Sequence, residues 1–267
     1  MKLAIIGLGN MGKAILNGIL KQKLIKPENI IAADKKFADP DFENSDEYAS
    51  VTVTADNCLA AQEADYIILA VKPQIINLVL EDIKKVAAAK VVISIAAGVK
   101  TELLAKYFGS RAKIVRVMPN TPALVAAGMS AIYYSPAVEA DEKAFVDQIF
   151  NSLGKTVKVK ESEMDAVTGL SGSGPAFVYI FIEALSDAGV LKGLDRKKAL
   201  KLAAQTVKGG AEMVLSSGKH PAELKDMVCS PAGTTITGVA TLEEQGFRSS
   251  VVQAVKTAAE RSEELGK

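Results

Sequence analysis

The N-terminal stretch KLAIIGLGNMGKAI constrains the fold of this chain more than any other. A short apolar run of β character reaches Gly7, and a helical run begins around Gly12. Between them Gly7, Gly9 and Gly12 stand in G-x-G-x-x-G spacing. In a dinucleotide-binding turn of this kind the first glycine makes a tight reversal and the second lets pyrophosphate approach bare backbone. The third lets helix and strand pack closely. The phosphates then lie at a helix N-terminus, where unpaired N–H groups and the helix dipole favour negative charge. Taken alone, the motif also fits a purely structural glycine turn. A second β-like run, NIIAAD, ends at Asp34, roughly 20 residues beyond Gly12, where an acid bonds the ribose hydroxyls of a dinucleotide. Together these features predict a cofactor site containing Ile6, Gly7, Leu8, Gly9, Asn10, Met11, Gly12 and Asp34.

The cofactor is NADPH or NADH, and the residues point both ways. Asp34 bonds a 2′-hydroxyl and repels a 2′-phosphate, which favours NADH. Lys35 and Lys36, immediately beyond, suit the phosphate of NADPH or simply face solvent.

Strand-like and helical runs alternate through the first half. YIILAV, VVISIAAG and KIVRVMP read as strands, with CLAAQEA, IINLVLEDIKKV and TELLAKYFG as helices, and SAIYYS and TVKVK flank the helical DEKAFVDQIFNSLG. Strands that are apolar throughout and alternate with helices indicate a mostly parallel sheet covered on both faces. Ligands bind such a sheet at its carboxyl edge. Two strand ends there, Ala70-Val71-Lys72-Pro73 and Ala96-Ala97-Gly98, are small enough for a nicotinamide to lie against the backbone.

Beyond about residue 160 the strand signal stops, and alanine-rich runs with apolar spacing of three and four take over. This shift sets the expected boundary between a dinucleotide-binding domain, 1–160, and a helical domain, 161–267. The apolar run AFVYIFI, residues 176–182, stops at Glu183, far short of a membrane span, and reads as the buried core of a helix. Nor does MKLAIIGLGNMG read as a signal peptide. The balance of 32 basic against 31 acidic residues argues against a nucleic-acid or polybasic membrane surface. Two distant cysteines, Cys58 and Cys229, suit a reducing cytoplasm. One histidine, His220 before Pro221, offers neither a metal site nor a Ser-His-Asp triad.

The helical half carries two clusters of hydroxyls and bare backbone. Ser171-Gly172-Ser173-Gly174-Pro175 opens a long apolar helix, and Ser230-Pro231-Ala232-Gly233-Thr234-Thr235 separates two helical runs. One such cluster reads equally well as an ordinary N-cap. Two in one small domain suggest a pocket for a small carboxylate.

The residues at this point resemble a known family. IGLGNMGKAI, AVKPQ, SIAAGV, RVMPNTPALV, TGLSGSGPAFVYIFIEAL, HPAELKDMVCSPAGTTI and LEEQGFR resemble pyrroline-5-carboxylate reductase, the last enzyme of proline biosynthesis, essentially from end to end. Ala232 departs from the glycine of many members, and Asp34 from a small or basic residue. The resemblance implies a Rossmann-like N-terminal domain and an all-α C-terminal domain that dimerises by interlocking with its twin, in some members building rings of dimers. It implies reduction of the cyclic imine L-pyrroline-5-carboxylate to L-proline by NAD(P)H in the cytoplasm. It places Asn57 near the adenosine, and Ala70, Val71, Lys72, Pro73, Ala96, Ala97 and Gly98 near the cofactor. Glu161, Thr234 and Thr235 would line the substrate site beside Ser171, Gly172, Ser173, Ser230 and Gly233, with Thr235 the hydroxyl closest to the imine nitrogen.

That substrate already holds a C=N bond, which when protonated awaits hydride, so the enzyme needs position more than strong acid–base groups. Two other readings are weaker. A β-hydroxyacid dehydrogenase carries a lysine one turn into the helix after a G-x-G-like cap, and here that position is Val178, which transfers no proton. A non-catalytic dinucleotide-sensing protein has no need of two anion-binding clusters.

Overall fold

A computed structural model describes residues 1–35 and 48–266. Lys36 lies outside the described residues.

The first unit, residues 1–172 with 257–267, is built on an eight-stranded sheet. Its strands are β1 (Leu3–Ile6), β2 (Ile30–Ala33), β3 (Thr52–Thr54), β4 (Tyr66–Leu69), β5 (Val91–Ser94), β6 (Lys113–Met118), β7 (Gly128–Tyr134) and β8 (Gly154–Lys158). They run in the order β3-β2-β1-β4-β5-β6-β7-β8, parallel except between β6 and β7. β1, β2, β4 and β5 are buried at every position, as continuous apolar runs in a sheet covered on both faces should be.

Alternation of side chains divides the core into two layers. Leu3 and Ile5 face Ile15 and Ile19 of α1 (Asn10–Lys21) and Phe145, Ile149 and Phe150 of α5 (Ala140–Asn151). Ala4 and Ile6 face the other layer, formed by α2 (Asn57–Glu63), α3 (Ile76–Ala87) and α4 (Thr101–Phe108), with Leu80, Ile83, Leu104 and Phe108 buried in it. The order of connections reverses between β1 and β4, so a crevice opens at their carboxyl ends. After β8 come a short helix, α6 (Met164–Val167), and a π-helical turn over Thr168–Gly172. Ser262 donates a 2.6 Å hydrogen bond to Asp165 and ties the chain's last helical turns to this unit.

The second unit, residues 173–256, is wholly helical. It contains α7 (Gly174–Leu191), α8 (Arg196–Ser217), α9 (Pro221–Val228), α10 (Thr234–Glu244) and the first part of α11 (Phe247–Leu265). Ala199 and Ala203 let α8 approach α7, where Arg196 donates to Ser186 at 3.0 Å. Little else is buried. AFVYIFI is not the buried core expected of it: Ile180 is 65% exposed, and on the same helix Leu191 is 83% exposed. Within the unit α7 packs on α8, and the rest of its apolar surface is left exposed. The expectation on membrane length is corrected by the same region. The helical stretch 161–191, with mean hydropathy 1.4 in its most apolar window, is long and apolar enough to cross a membrane by length and composition. It exceeds the seven-residue run because it takes in a 3-10 turn over Glu161–Glu163, α6, the π-turn and, after Ser173, α7.

Candidate cofactor and substrate site

The glycine turn has the geometry its spacing predicts. Gly7 adopts φ +101°, and a Cβ there would stand 2.7 Å from the Ala70 carbonyl oxygen. A Cβ on Gly12 would stand 2.0 Å from the Gly7 oxygen, so α1 reaches β1 only because that position is bare. Gly9 is different. Its backbone is extended, φ −68° and ψ −174°, and no atom lies within 4 Å of where a Cβ would be. Nothing in the protein requires glycine at that position.

Two cavities flank the turn. A cavity of about 310 Å³ is lined by Ile6, Gly7, Ala33, Asp34, Lys35, Asn57 and Val71, with Ile75, Leu78 and Val79 of the α3 region. A second, of about 520 Å³, is lined by Gly9, Asn10, Met11, Ala70, Val71, Lys72, Pro73, Ala96 and Ala97, joined by Ile95, Pro119, Thr121 and Leu124. Most cofactor residues expected from the sequence therefore meet around one carboxyl edge. Leu8 is buried and contributes its backbone, while Gly98, at φ +75°, falls in a neighbouring hollow with Lys100 and Leu265.

The cavity of about 310 Å³ has a hydrogen-bonded wall. Asp34 accepts from the Leu8 N–H at 2.8 Å and so fastens the end of β2 to the glycine turn. Asn57, 5% exposed, donates its amide to Asp82 Oδ2 at 3.1 Å, and Lys35 Nζ lies 3.0 Å from the same oxygen. The lysine's hydrogen bond, aided by Asn57, holds the Asp82 carboxyl below its ordinary range against a smaller opposing effect of burial.

Glu161 has partners other than the substrate-lining role implied for it. Its carboxylate accepts from the Thr101 N–H at 2.7 Å, the Thr101 hydroxyl at 2.6 Å and the buried Arg116 guanidinium at 2.8 Å. Burial pushes this carboxyl up, but the Thr101 bonds and the Arg116 charge together outweigh it and leave it below the usual range. Glu161 thus pins Thr101, the first residue of α4, to Arg116 of β6. Ser171 is held through its carbonyl and hydroxyl by Asn120, both at 3.3 Å, and a Cβ on Gly172 would meet Met118 at 2.3 Å.

In the second unit Ser173 stands at the N-cap of α7 without a side-chain capping bond, so the ordinary capping role is not the one it performs. The other cluster folds as a tight loop. Ala232 takes φ +53°, in the left-handed region that favours glycine, and Gly233 donates to the Ser230 carbonyl at 3.0 Å. A Cβ on Gly233 would strike the Ser230 hydroxyl at 2.2 Å. Gly233 is the N-cap of α10, so Thr234 and Thr235 fall in its first turn. Among the described residues the half-buried Thr235 hydroxyl has no hydrogen-bond partner, and it belongs to a first helical turn, where backbone N–H groups lack intrahelical partners.

Residues 2–98 match the family of coenzyme F420-dependent NADP oxidoreductases, and residues 161–265 match the pyrroline-5-carboxylate reductase dimerisation domain. The pyrroline-5-carboxylate reductase of Synechocystis is 48% identical over 267 residues, covering 100% of this chain and 99% of that protein. That of Methanosarcina acetivorans is 47% identical over 267 residues, covering 100% and 98%. The chain belongs to the pyrroline-5-carboxylate reductase family. The crystal structure of the Plasmodium falciparum pyrroline carboxylate reductase with NADP bound is similar to it with a TM-score of 0.89 at 40% identity, over 100% of this chain and 98% of that one. As a pyrroline-5-carboxylate reductase by family, the chain is an oxidoreductase that uses NADPH or NADH on a Rossmann-like domain.

Sequence reasoning missed Ile75, Leu78, Asp82, Pro119, Thr121 and Leu124. Leu78 and Leu124 are apolar residues among many in sequence, and only the structure shows them more than half exposed on the cavity walls.

Proposed function

We propose that the chain reduces L-pyrroline-5-carboxylate to L-proline by hydride transfer from NADPH or NADH to the protonated cyclic imine, completing proline biosynthesis. Hydride leaves the dihydronicotinamide ring for the imine carbon, the π pair of C=N moves onto nitrogen, and the amine keeps the proton that the iminium carried. No protein group need change its protonation in this step, which suits a chain with a single histidine used as a helix cap.

Residues 1–160 carry the hydride donor. Ile6 to Gly12 take the pyrophosphate, Asp34, Lys35 and Asn57 the adenosine half, and Ala70 to Pro73 with Ala96 to Gly98 the nicotinamide half. Residues 161–267 carry the groups that hold the substrate and dimerise. Ser171, Gly172, Ser173, Ser230, Gly233 and Thr234 supply backbone N–H groups and hydroxyls for the carboxylate, and Thr235 hydrogen-bonds the imine nitrogen. Glu161 lines the substrate site, its carboxylate held in place by Thr101 and Arg116.

The observation that carries the cofactor half of this reading is the bare Gly9, open on its Cβ side where nothing in the protein needs the room, and the substrate half rests on the family match over residues 161–265. Self-association into dimers or rings of dimers covers the exposed apolar faces of α7 and α8, and the unpaired cysteines favour a cytoplasmic setting. The test is steady-state oxidation of NADH and of NADPH with pyrroline-5-carboxylate, set beside a β-hydroxyacid run in the opposite direction. Turnover of the imine is expected, and turnover of the hydroxyacid alone overturns the reading.

A further inference from the structure

NADPH differs from NADH only by the phosphate on the adenosine 2′-oxygen, and the end of β2 is where a Rossmann-type domain meets that oxygen. Here that region opens into a polar pocket lined by Lys35, Thr54, Asp56, Asn57 and Asp82. Among the described residues lining it, the ammonium of Lys35 and the amide N–H of Asn57 suit a phosphate. Both are turned to a single atom, Asp82 Oδ2, at 3.0 and 3.1 Å. Two other described acids nearby have backbone partners. Asp34 accepts from Leu8 N–H, and Asp56 caps α2 by accepting from the N–H groups of Cys58 and Leu59. Asp82 makes its side-chain bonds across the pocket, from mid-α3, to the two donors a phosphate would use.

We propose that Asp82 is a specificity-determining residue that biases this enzyme against the 2′-phosphate of NADPH by occupying Lys35 and Asn57. The inference rests on the reading of this site as the dinucleotide site. A 2′-phosphate entering the pocket must displace a carboxylate from both donors and then remain beside its charge, whereas a 2′-hydroxyl of NADH can share the existing bonds. The Lys35–Asp82 pair is largely solvated, with side chains 64% and 38% exposed, so its loss leaves folding nearly untouched while the like-charge penalty on a phosphate disappears.

The experiment is Asp82→Asn, with binding of NADP+ and NAD+ measured by calorimetry at low salt and kcat/KM measured with both reduced cofactors and the imine. Asparagine keeps the size and an acceptor for Asn57 but removes the charge. The variant should bind NADP+ roughly tenfold more tightly, as expected for one unit charge removed a few ångströms from a phosphate near a surface. Affinity for NAD+ should stay within about twofold, and the gain should shrink as salt screens it. Adding Lys35→Ala to Asp82→Asn should cancel the gain. An unchanged or weakened NADP+ affinity, or equal gains for both nucleotides, overturns the proposal. Because binding is read directly, a shift in NADP+ affinity without imine turnover leaves the proposal standing and sinks the proposed reaction. Failure to bind either nucleotide sinks both.

Discussion

Replacing Gly9 with valine separates the binding role of the glycine turn from its structural role. The extended backbone at Gly9, φ −68° and ψ −174°, suits a β-branched residue. A Cβ there meets nothing within 4 Å, so the variant should fold with a melting temperature close to that of the parent. Its methyl groups must point into the opening where pyrophosphate would pass. If the ligand is pushed off two backbone N–H groups, and each charge-assisted bond contributes about 1.5–3 kcal/mol, affinity falls by roughly 3–6 kcal/mol. That is a loss of roughly a hundred- to ten-thousand-fold. Calorimetry with NADPH and NADH, beside circular dichroism, reads both halves. Gly12→Ala provides the contrast: its Cβ would sit 2.0 Å from a backbone oxygen, so that variant should lose folding and binding together. A Gly9→Val protein that binds nucleotide like the parent, or that fails to fold, would refute the reasoning.

Thr235→Ala should lower kcat and kcat/KM by roughly ten- to a thousand-fold with NAD(P)H affinity unchanged, while Thr235→Ser keeps most activity; a variant that turns over normally removes Thr235 from the mechanism. The exposed apolar faces of α7 and α8 predict at least twice the monomer mass by light scattering at micromolar concentration, and a monomer mass would contradict them. Glu161→Gln should cost roughly 1–3 kcal/mol at pH 7, because buried Arg116 loses its charge partner. The folded carboxyl titrates below its unfolded value of about 4.3, so this contribution is complete above that pH and is lost as the pH falls through the folded value. Urea midpoints of the two proteins should therefore converge in acid, and a constant gap across that range would exclude the carboxylate as the cause.

The central strands were legible because β1, β2, β4 and β5 are apolar at nearly every position, the pattern that only a sheet covered on both faces imposes. β3 left no such trace: it is three residues at the sheet edge, with Thr52 and Val53 exposed. The glycine turn could be read because its spacing is short and local, although only Gly7 (against Ala70) and Gly12 (against Gly7) answer a steric demand of the protein itself. Asp82 could not, because in sequence it is an ordinary charged residue on a helix, and its meaning comes from two partners brought together by separate βα units. AFVYIFI was read correctly as helix and wrongly as buried. Hydropathy reports that a face must be covered, not whether the covering element lies in the same chain. In SPAGTT the break was visible but the start of α10 was not. Gly233 takes the N-cap, so Thr235, one residue inside the helix, has no capping duty to explain its hydroxyl.

Hydride transfer to the imine carbon can be followed atom by atom. With NADPH or NADH carrying deuterium at both C4 positions of the nicotinamide, pyrroline-5-carboxylate should be converted to proline bearing one deuterium on the former imine carbon, the ring CH2 next to nitrogen and not the carbon bearing the carboxylate, as read by mass spectrometry and NMR. Proline formed without label at that carbon, or cofactor oxidised with no proline formed, would contradict the account.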